Sequence, residues 1–450
     1  MATSSRALRV GLYQEHLEEA AFLYEQRQAL LRDPQISWLE IGSFEDRLEA
    51  HVDGLVVGED LALEVCRTRA KEGEPGEFFP IVSVFCRQRR GDLMSELLAE
   101  VDFKDPAKIR PVEDGLKHEL PQDWSSFCEK ALSQHPNGLT RILANVVGYR
   151  RLAFGQQLGE VLTRSGPGEL SAVAWALGRL GAASARDGLP GYLRHDNIAI
   201  KSAALLALLR LGVREPLPEC ETIARSETWP LIALGLGGSQ SASDVLREVA
   251  RSAHATPDCL LALALLGDTS ALQILYDSLA KPELAEAAAV GLELIAGAQL
   301  SEEVFVPEQV VEDELFEKEL KAWKEQGQAP KRPNGTPFGT TVKKPVVAKN
   351  KWKAWFARHS KDFDSSSRYR NGKRYSPRTL LEQLLDSTST FRLRQLAAEE
   401  LAIRYGCPVP FEADMPVAWQ LRALRDIATW VESNAGRFAA GQWYFAGQPY

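Results

Sequence analysis

Apolar residues recur along this chain at helical spacing, and glycine interrupts them at near-regular intervals. Between Leu139 and Gly297 a block of Leu and Ala closes on a glycine six times. The closures are Val-Val-Gly at Gly148, Gly-Arg-Leu-Gly at Gly181, Leu-Arg-Leu-Gly at Gly212, Leu-Gly-Leu-Gly-Gly at Gly238, Leu-Leu-Gly at Gly267 and Leu-Ile-Ala-Gly at Gly297. Successive glycines are 33, 31, 26, 29 and 30 residues apart. A period near ~30 with helical patterning inside it predicts two-helix units stacked into an α-solenoid.

The unit from Gly267 to Gly297 shows the grammar. Gly267-Asp268-Thr269-Ser270 reads as a turn whose polar residues cap the next helix. Ala271, Leu272, Leu275, Tyr276 and Leu279 follow on one face, and Lys281-Pro282 breaks that helix and starts another. Leu284, Ala287, Ala288, Gly291, Leu292 and Ile295 line the second helix, which Gly297 ends in a left-handed conformation. Each pair leaves an apolar face that only a neighbouring pair can cover. Leu206 and Leu263 fall at such inter-repeat positions.

The pattern divides the chain into four segments: 1–135, 136–300, 301–378 and 379–450. Residues 1–135 read as helical pairs with degenerate repeats that cap one end of the stack. Within them, Tyr13, Leu17, Ala20, Ala21 and Tyr24 form a stripe, and Asp33-Pro34 ends that helix. Ser43 reads as a helix cap, Phe78–Arg87 as a buried helix, and Asp105–Pro111 as irregular. Residues 136–300 hold the repeats. The segment 301–378 begins with an acidic helix and continues through a Pro/Gly-rich linker at 327–350 into a basic, aromatic insertion. Residues 379–450 return to helical patterning, as one last repeat and an amphipathic helix from Trp419 to Trp430. They end in an aromatic tail from Gly441 to Tyr450, which is expected to dock. The fold class expected is all-α, an α-solenoid with an irregular basic insertion before its last repeat.

The glycine-terminated, Ala/Leu-rich units resemble HEAT-like repeats, in particular the short subclass also found in bilin lyases. Further residues resemble an uncharacterised proteobacterial HEAT-repeat family. These are His16-Leu-Glu-Glu-Ala-Ala-Phe-Leu-Tyr-Glu-Gln-Arg27, Glu45-Asp-Arg-Leu-Glu-Ala-His-Val-Asp-Gly-Leu55, Trp352-Lys-Ala-Trp355, Arg368-Tyr369 with Gly372, and Arg394-Gln-Leu-Ala-Ala-Glu-Glu-Leu-Ala402. Members of that family are often encoded near type VI secretion spike and effector genes. The resemblance therefore implies an accessory role in effector handling, and it brings no catalytic residues. The family pairs tryptophans near Trp355, where this chain has Phe356 beside a single Trp355.

Composition narrows the class. With 45% hydrophobic and 25% charged residues the chain reads as globular, and no apolar run reaches the ~18 residues of a membrane span. Cys66, Cys86, Cys128, Cys220, Cys259 and Cys407 form no C-x-x-C pair and sit mostly in apolar runs. They read as buried thiols of a reducing compartment, with neither a disulfide framework nor a zinc site. The first residues carry no apolar run, so no signal peptide is expected and the location expected is cytoplasmic. The net charge of −8 conceals an asymmetry. Residues 331–378 hold fourteen basic residues against Asp362 and Asp364, a net of +12, which leaves the rest at −20.

No residue pattern points to catalysis, a cofactor or a metal. His195-Asp196 reads as an inter-helix turn with Asp196 as cap, not as half of a triad. His16 and His51 are a conceivable metal pair that lacks a third ligand at suitable spacing. Gly235-Leu-Gly-Gly238 has neither the strand nor the lysine of a phosphate loop. The basic insertion combines phosphate-neutralising and base-stacking residue types. Opposite charge within the same chain favours its folding back, or its binding another protein, over nucleic acid. Trp352, Trp355, Arg368, Tyr369, Arg370, Arg374 and Tyr375 are the candidate partner-binding residues. The function expected is a non-enzymatic protein-binding scaffold, an adaptor or chaperone for a secreted effector or spike component. The alternatives are an immunity protein and a nucleic-acid-binding repeat protein.

Overall fold

Helix α1 (Ser5–Leu30) opens the part of the chain that the computed structural model describes, residues 5–134 and 138–450. The boundary expected at 135/136 lies outside the described residues. As the pattern predicts, α1 buries Leu17, Ala20, Ala21 and Tyr24. Helix α2 (Ile41–Val57) starts before Ser43, whose hydroxyl donates back to the Glu40 carbonyl at 2.9 Å and so is not a cap. Helix α3 (Glu59–Glu72) leads to α4 (Phe78–Arg87), a helix buried from Phe78 to Cys86. Helix α5 (Gly91–Glu100) follows, and then α6 (Pro106–Glu119) replaces the irregular stretch expected there. Asp105 accepts from the Ala107 amide at 2.9 Å and Pro106 occupies the first turn, a sound helix start. Pro111 sits inside α6 at the loss of one backbone bond, and the packing of α6 against α4 and α8 outweighs that cost.

Ten further helices build the middle of the chain. They are α7 (Ser125–Gln134), α8 (Leu139–Arg150), α9 (Gly155–Leu162), α10 (Pro167–Leu180), α11 (Ile198–Arg210), α12 (Leu217–Ile223), α13 (Leu231–Gly237), α14 (Gln240–Arg251), α15 (Pro257–Leu266) and α16 (Leu272–Ser278). Helix α17 (Pro282–Ala296) closes the set. One row runs α4, α6, α8, α10, α11, α13, α15, α17, each helix packed on the next. A second layer packs α7 on α9, α12 on α14 and α14 on α16. Spacing within the row is set by small residues. A Cβ at Gly178 would lie 2.6 Å from Cα of Ala207 on α11, and one at Gly235 would lie 2.8 Å from Cα of Ala262 on α15. Gly148 meets Ala176 of α10 in the same way, at 2.8 Å, so it serves contact and not the turn expected of it. Gly181, Gly212, Gly267 and Gly297 do adopt positive φ after their helices. The start of α11 is capped by Asn197, which accepts from the Ala199 amide at 2.9 Å, and not by Asp196. Leu263 is fully buried as expected, whereas Leu206 is half-buried and its neighbour Leu205 points inward.

Beyond α17 the expected acidic helix is only partly one. Residues Ser301–Pro307 form strand β1; helix α18 (Glu317–Gln326) follows; and β2 (Gly339–Pro345) returns antiparallel to β1 out of the supposed linker. Glu302 faces Lys344, Glu303 faces Lys343 and Val304 faces Val342. This pairing joins segments more than thirty residues apart in sequence and stayed hidden in it. Helix α19 (Lys349–His359) packs Phe356 on Tyr276 of α16. Strands β3 (Tyr369–Arg370) and β4 (Lys373–Arg374) pair around Asn371-Gly372, both at positive φ, an Asn-Gly hairpin turn.

The chain ends with α20 (Pro377–Leu385), α21 (Phe391–Tyr405), α22 (Val417–Ser433) and the short strands β5 (Tyr444–Phe445) and β6 (Gln448–Pro449). These helices share a core with Leu31, Trp38 and Ile41 from the α1–α2 connection. Helix α22 contacts α2 while α21 lies on α11 and α13, so the C-terminal segment spans the row from one side to the other. The aromatic tail docks as expected: the Ala446 amide donates to Ile403 at 2.8 Å, and the Tyr450 hydroxyl donates to the Gly237 carbonyl. All six cysteines are buried free thiols. Among the described residues no helix is long and apolar enough to cross a membrane.

Candidate functional site

A helix exposes its last carbonyls and carries partial negative charge at its C-terminal end. The packed row of α8 to α17 presents a series of such ends along one side, and the C-terminal segment covers them by two complementary means. Helices α13, α15 and α17 end in bare carbonyls, and there the segment supplies donors. Arg404 donates to Gly235 at 2.8 Å and to Gly238 at 3.2 Å. Arg370 donates to Leu265 at 3.0 Å and Arg368 to Leu266 at 2.5 Å. The backbone amides of Tyr369, Asn371 and Gly372 reach Gly267, Leu294 and Ile295 at 2.7, 2.8 and 2.9 Å.

Helices α8, α10 and α11 instead carry an arginine within one residue of their C-terminal ends (Arg151, Arg179 and Arg210), and there the segment supplies carboxylates. Arg179 binds Glu412 at 2.7 Å and also Glu399; Arg210 binds Glu399 at 2.7 Å; Arg151 binds Glu412 at 2.9 Å. Glu399 and Glu412 are both 3% exposed. Burial opposes ionisation of Glu412, but Arg179 and Arg151 outweigh it and hold the carboxyl at about 2. Glu399 is lowered for the same reason, against its burial, by Arg179 and Arg210.

This seam holds most of the residues expected to bind a partner. Trp352 is fully buried and donates its indole N–H to the Val346 carbonyl at 2.7 Å. Arg368, Tyr369, Arg370 and Tyr375 are 1%, 4%, 0% and 0% exposed. Arg368 lies between the rings of Tyr375 and Trp443, at 3.8 and 4.4 Å, and burial next to Arg404 pulls its guanidinium down to about 10. Arg370 forms a two-pronged pair with Glu400 at 2.7 and 2.8 Å. These five side chains are therefore internal and not a partner surface, and two of them, Arg368 and Arg370, cap helix ends. The reason for the two arginines is the unsatisfied carbonyl end of α15, which draws Arg368 and Arg370 inward. Trp355 is half-buried and stacks on His359 at 4.6 Å, and Arg374 is exposed next to Asp364 at 3.4 Å. Arg151, Arg179, Arg210, Glu399 and Glu412 escaped the sequence reading. The signal was an arginine shortly before the closing glycine in Gly-Arg-Leu-Gly and Leu-Arg-Leu-Gly.

Next to this seam lies a cleft of about 640 Å³. One wall comes from successive row helices: Trp175 on α10, Leu206 on α11, and Ile232 on α13 with Trp229 just before it. Phe391 and Leu396 of α21 form the other wall. The floor is polar. Arg179 lies 4.0 Å over the Trp175 ring, and Tyr149 and Asp414 complete it. Burial, aided by Asp414, pushes the Tyr149 hydroxyl well above its ordinary range. Burial also raises Asp414, with Glu412 adding to the effect and Lys117 opposing it. A second cleft of about 610 Å³ lies between α2 and the start of α22, where His118 faces Trp419 at 5.7 Å.

His16 and His51 do meet, Nδ1 to Nδ1 at 3.1 Å, but among the described residues no cluster of three potential metal ligands is present. No family model matches the chain, and neither a curated protein nor a solved structure shows significant similarity to it.

Proposed function

We propose that this chain is a non-enzymatic binding scaffold, an α-solenoid of HEAT-like repeats that receives an extended polypeptide segment in the cleft beside its C-terminal seam. One observation carries the reading. The apolar wall of the cleft takes one part from each of three successive row helices, so it spans several units of the row. A surface of that kind suits a peptide lying over several repeats. The half-buried Trp175, Leu206 and Ile232 supply apolar area that a partner's side chains would cover.

The resemblance of residues 16–27, 45–55 and 394–402 extends the proposal to the partner: a type VI effector or spike component, held in the cytoplasm before export. The test is co-purification with proteins encoded beside this chain. A neighbour should be retained by the wild type and released by Leu206→Arg or Ile232→Arg. Retention unchanged in both variants would refute the cleft as the binding surface. A nucleic-acid role would show as salt-sensitive DNA retention. Burial of Arg368 and Arg370 removes two of the side chains that such a role would use.

A further inference from the structure

The ribbon formed by β1 and β2 exposes apolar side chains in a way no other strand does among the described residues. Val304, Phe305 and Val306 are 37%, 45% and 38% exposed, and Phe316, just before α18, is 80% exposed. The register shows which backbone groups are free. The Glu308 amide bonds Phe338 and the Val346 amide bonds Leu300, so even-numbered residues of β1 bond inward to β2. Ser301, Glu303 and Phe305 must then point their N–H and C=O groups away from β2, along an edge that no other strand covers among the described residues.

The opposite edge is closed. Gln35 donates to the Lys343 carbonyl at 3.1 Å and accepts from its amide at 2.8 Å. A second copy therefore cannot use the lysine-bearing edge of β2. Two β1 edges paired about Glu303 would set that acid against its counterpart. Residues 302–319 carry eight acids and one lysine; Lys351 pairs with Glu302 at 2.8 Å and Lys324 with Glu312 at 2.8 Å, while Glu308, Asp313, Glu314 and Glu317 stand exposed in the stretch that follows β1. Charge complementarity thus selects a basic occupant.

The geometry points to a docking site on the outer edge of β1 for an extended, basic segment of another protein, one that alternates lysine or arginine with apolar residues. The partner adds a third strand, bonds to the outward groups of Ser301, Glu303 and Phe305, and covers Val304 to Val306. This site is separate from the cleft, and its test does not depend on the cleft.

The full chain is titrated by calorimetry with the blocked peptide Ac-Lys-Val-Lys-Val-Lys-Val-Lys-NH2 and with its glutamate counterpart, at about 50 mM and 300 mM salt. The lysine peptide should bind saturably, at least about tenfold tighter than the glutamate peptide, and weaken at high salt. Phe305→Pro removes an outward N–H without touching the β1–β2 ladder, so it should abolish binding with the thermal midpoint unchanged. Phe305→Ala, which keeps that N–H, should bind more weakly but measurably. Glu303→Lys with Glu308→Lys gives an independent charge test and should also abolish binding. Equal affinity for the two peptides, or wild-type affinity in Phe305→Pro, would overturn the proposal. So would a concentration-dependent dimer that Phe305→Pro disrupts, since that would make a second copy the occupant. Loss of binding in Ile232→Arg, with the ribbon variants unaffected, would assign the peptide to the cleft and refute the ribbon site alone.

Discussion

The seam between the row and the C-terminal segment makes a sharp prediction at Arg370. Its guanidinium is fully buried, grips both oxygens of the equally buried Glu400, and donates to Gln383 at 2.9 Å and to the Leu265 carbonyl. Arg370→Met keeps much of the stem volume but leaves Glu400 with only the Tyr375 hydroxyl, at 2.6 Å, close by. Breaking a buried pair from one side costs about 3–5 kcal/mol, because the remaining charge stays desolvated. At roughly 2 °C per kcal/mol for a chain of this size, the thermal midpoint should fall by about 6–10 °C. The double variant Arg370→Met/Glu400→Gln removes the stranded charge and should recover a large part of that loss. Differential scanning calorimetry of the wild type, both single variants and the double measures the coupling. Hydrogen exchange should show protection lost first in β3, α20 and α21. A drop below about 2 °C in Arg370→Met, or a double variant no better than the single, would refute the capping account.

Other outcomes follow from the same packing. Leu263→Ala should cost about 2–4 kcal/mol, whereas Leu206→Ala, facing the cleft, should cost under about 1.5 kcal/mol by denaturant melting. Gly178→Leu or Gly235→Leu forces a side chain onto the backbone of the next helix and should lower the thermal midpoint by several degrees, with Gly168→Leu, at an exposed position where nothing lies nearby, as the neutral control. Burial, reinforced by Arg27, pulls His118 down to about 3 in the folded chain. Its unfolded value is about 6.5, so the unfolded state takes the proton first as pH falls. The contribution of His118 to stability is thus complete above about pH 6.5 and declines from there toward pH 3. The full linkage between pH 7 and 5 is about 2 kcal/mol, and roughly half that is expected because the ring faces a cleft. A His118→Gln variant should lose this component, which comparison of the two pH–stability curves reads directly. Burial raises the thiols of Cys66, Cys220 and Cys259 to about 12, so a thiol reagent should label them only after unfolding.

The sequence alone determined the helices and their order through the middle of the chain. The Leu/Ala blocks and closing glycines mark the ends of α10, α11, α15 and α17, where Gly181, Gly212, Gly267 and Gly297 take positive φ, because an apolar stripe and a left-handed stop are local properties. The docking of the aromatic tail was legible for a related reason, since six apolar or aromatic side chains cannot stay in water without cost. Tertiary structure decided the rest. Nothing local distinguishes an arginine that will bind a partner from one that will cap a buried helix end, and Arg368, Arg370 and Arg404 took the second course because α13 and α15 end in unsatisfied carbonyls. Likewise Glu399 and Glu412 became internal only when Arg151, Arg179 and Arg210, far away in sequence, were brought alongside. The ribbon of β1 and β2 also needed a pairing across an intervening helix. Charge and hydrogen-bonding capacity are written in the residues, but which groups face one another is settled only when the chain closes on itself.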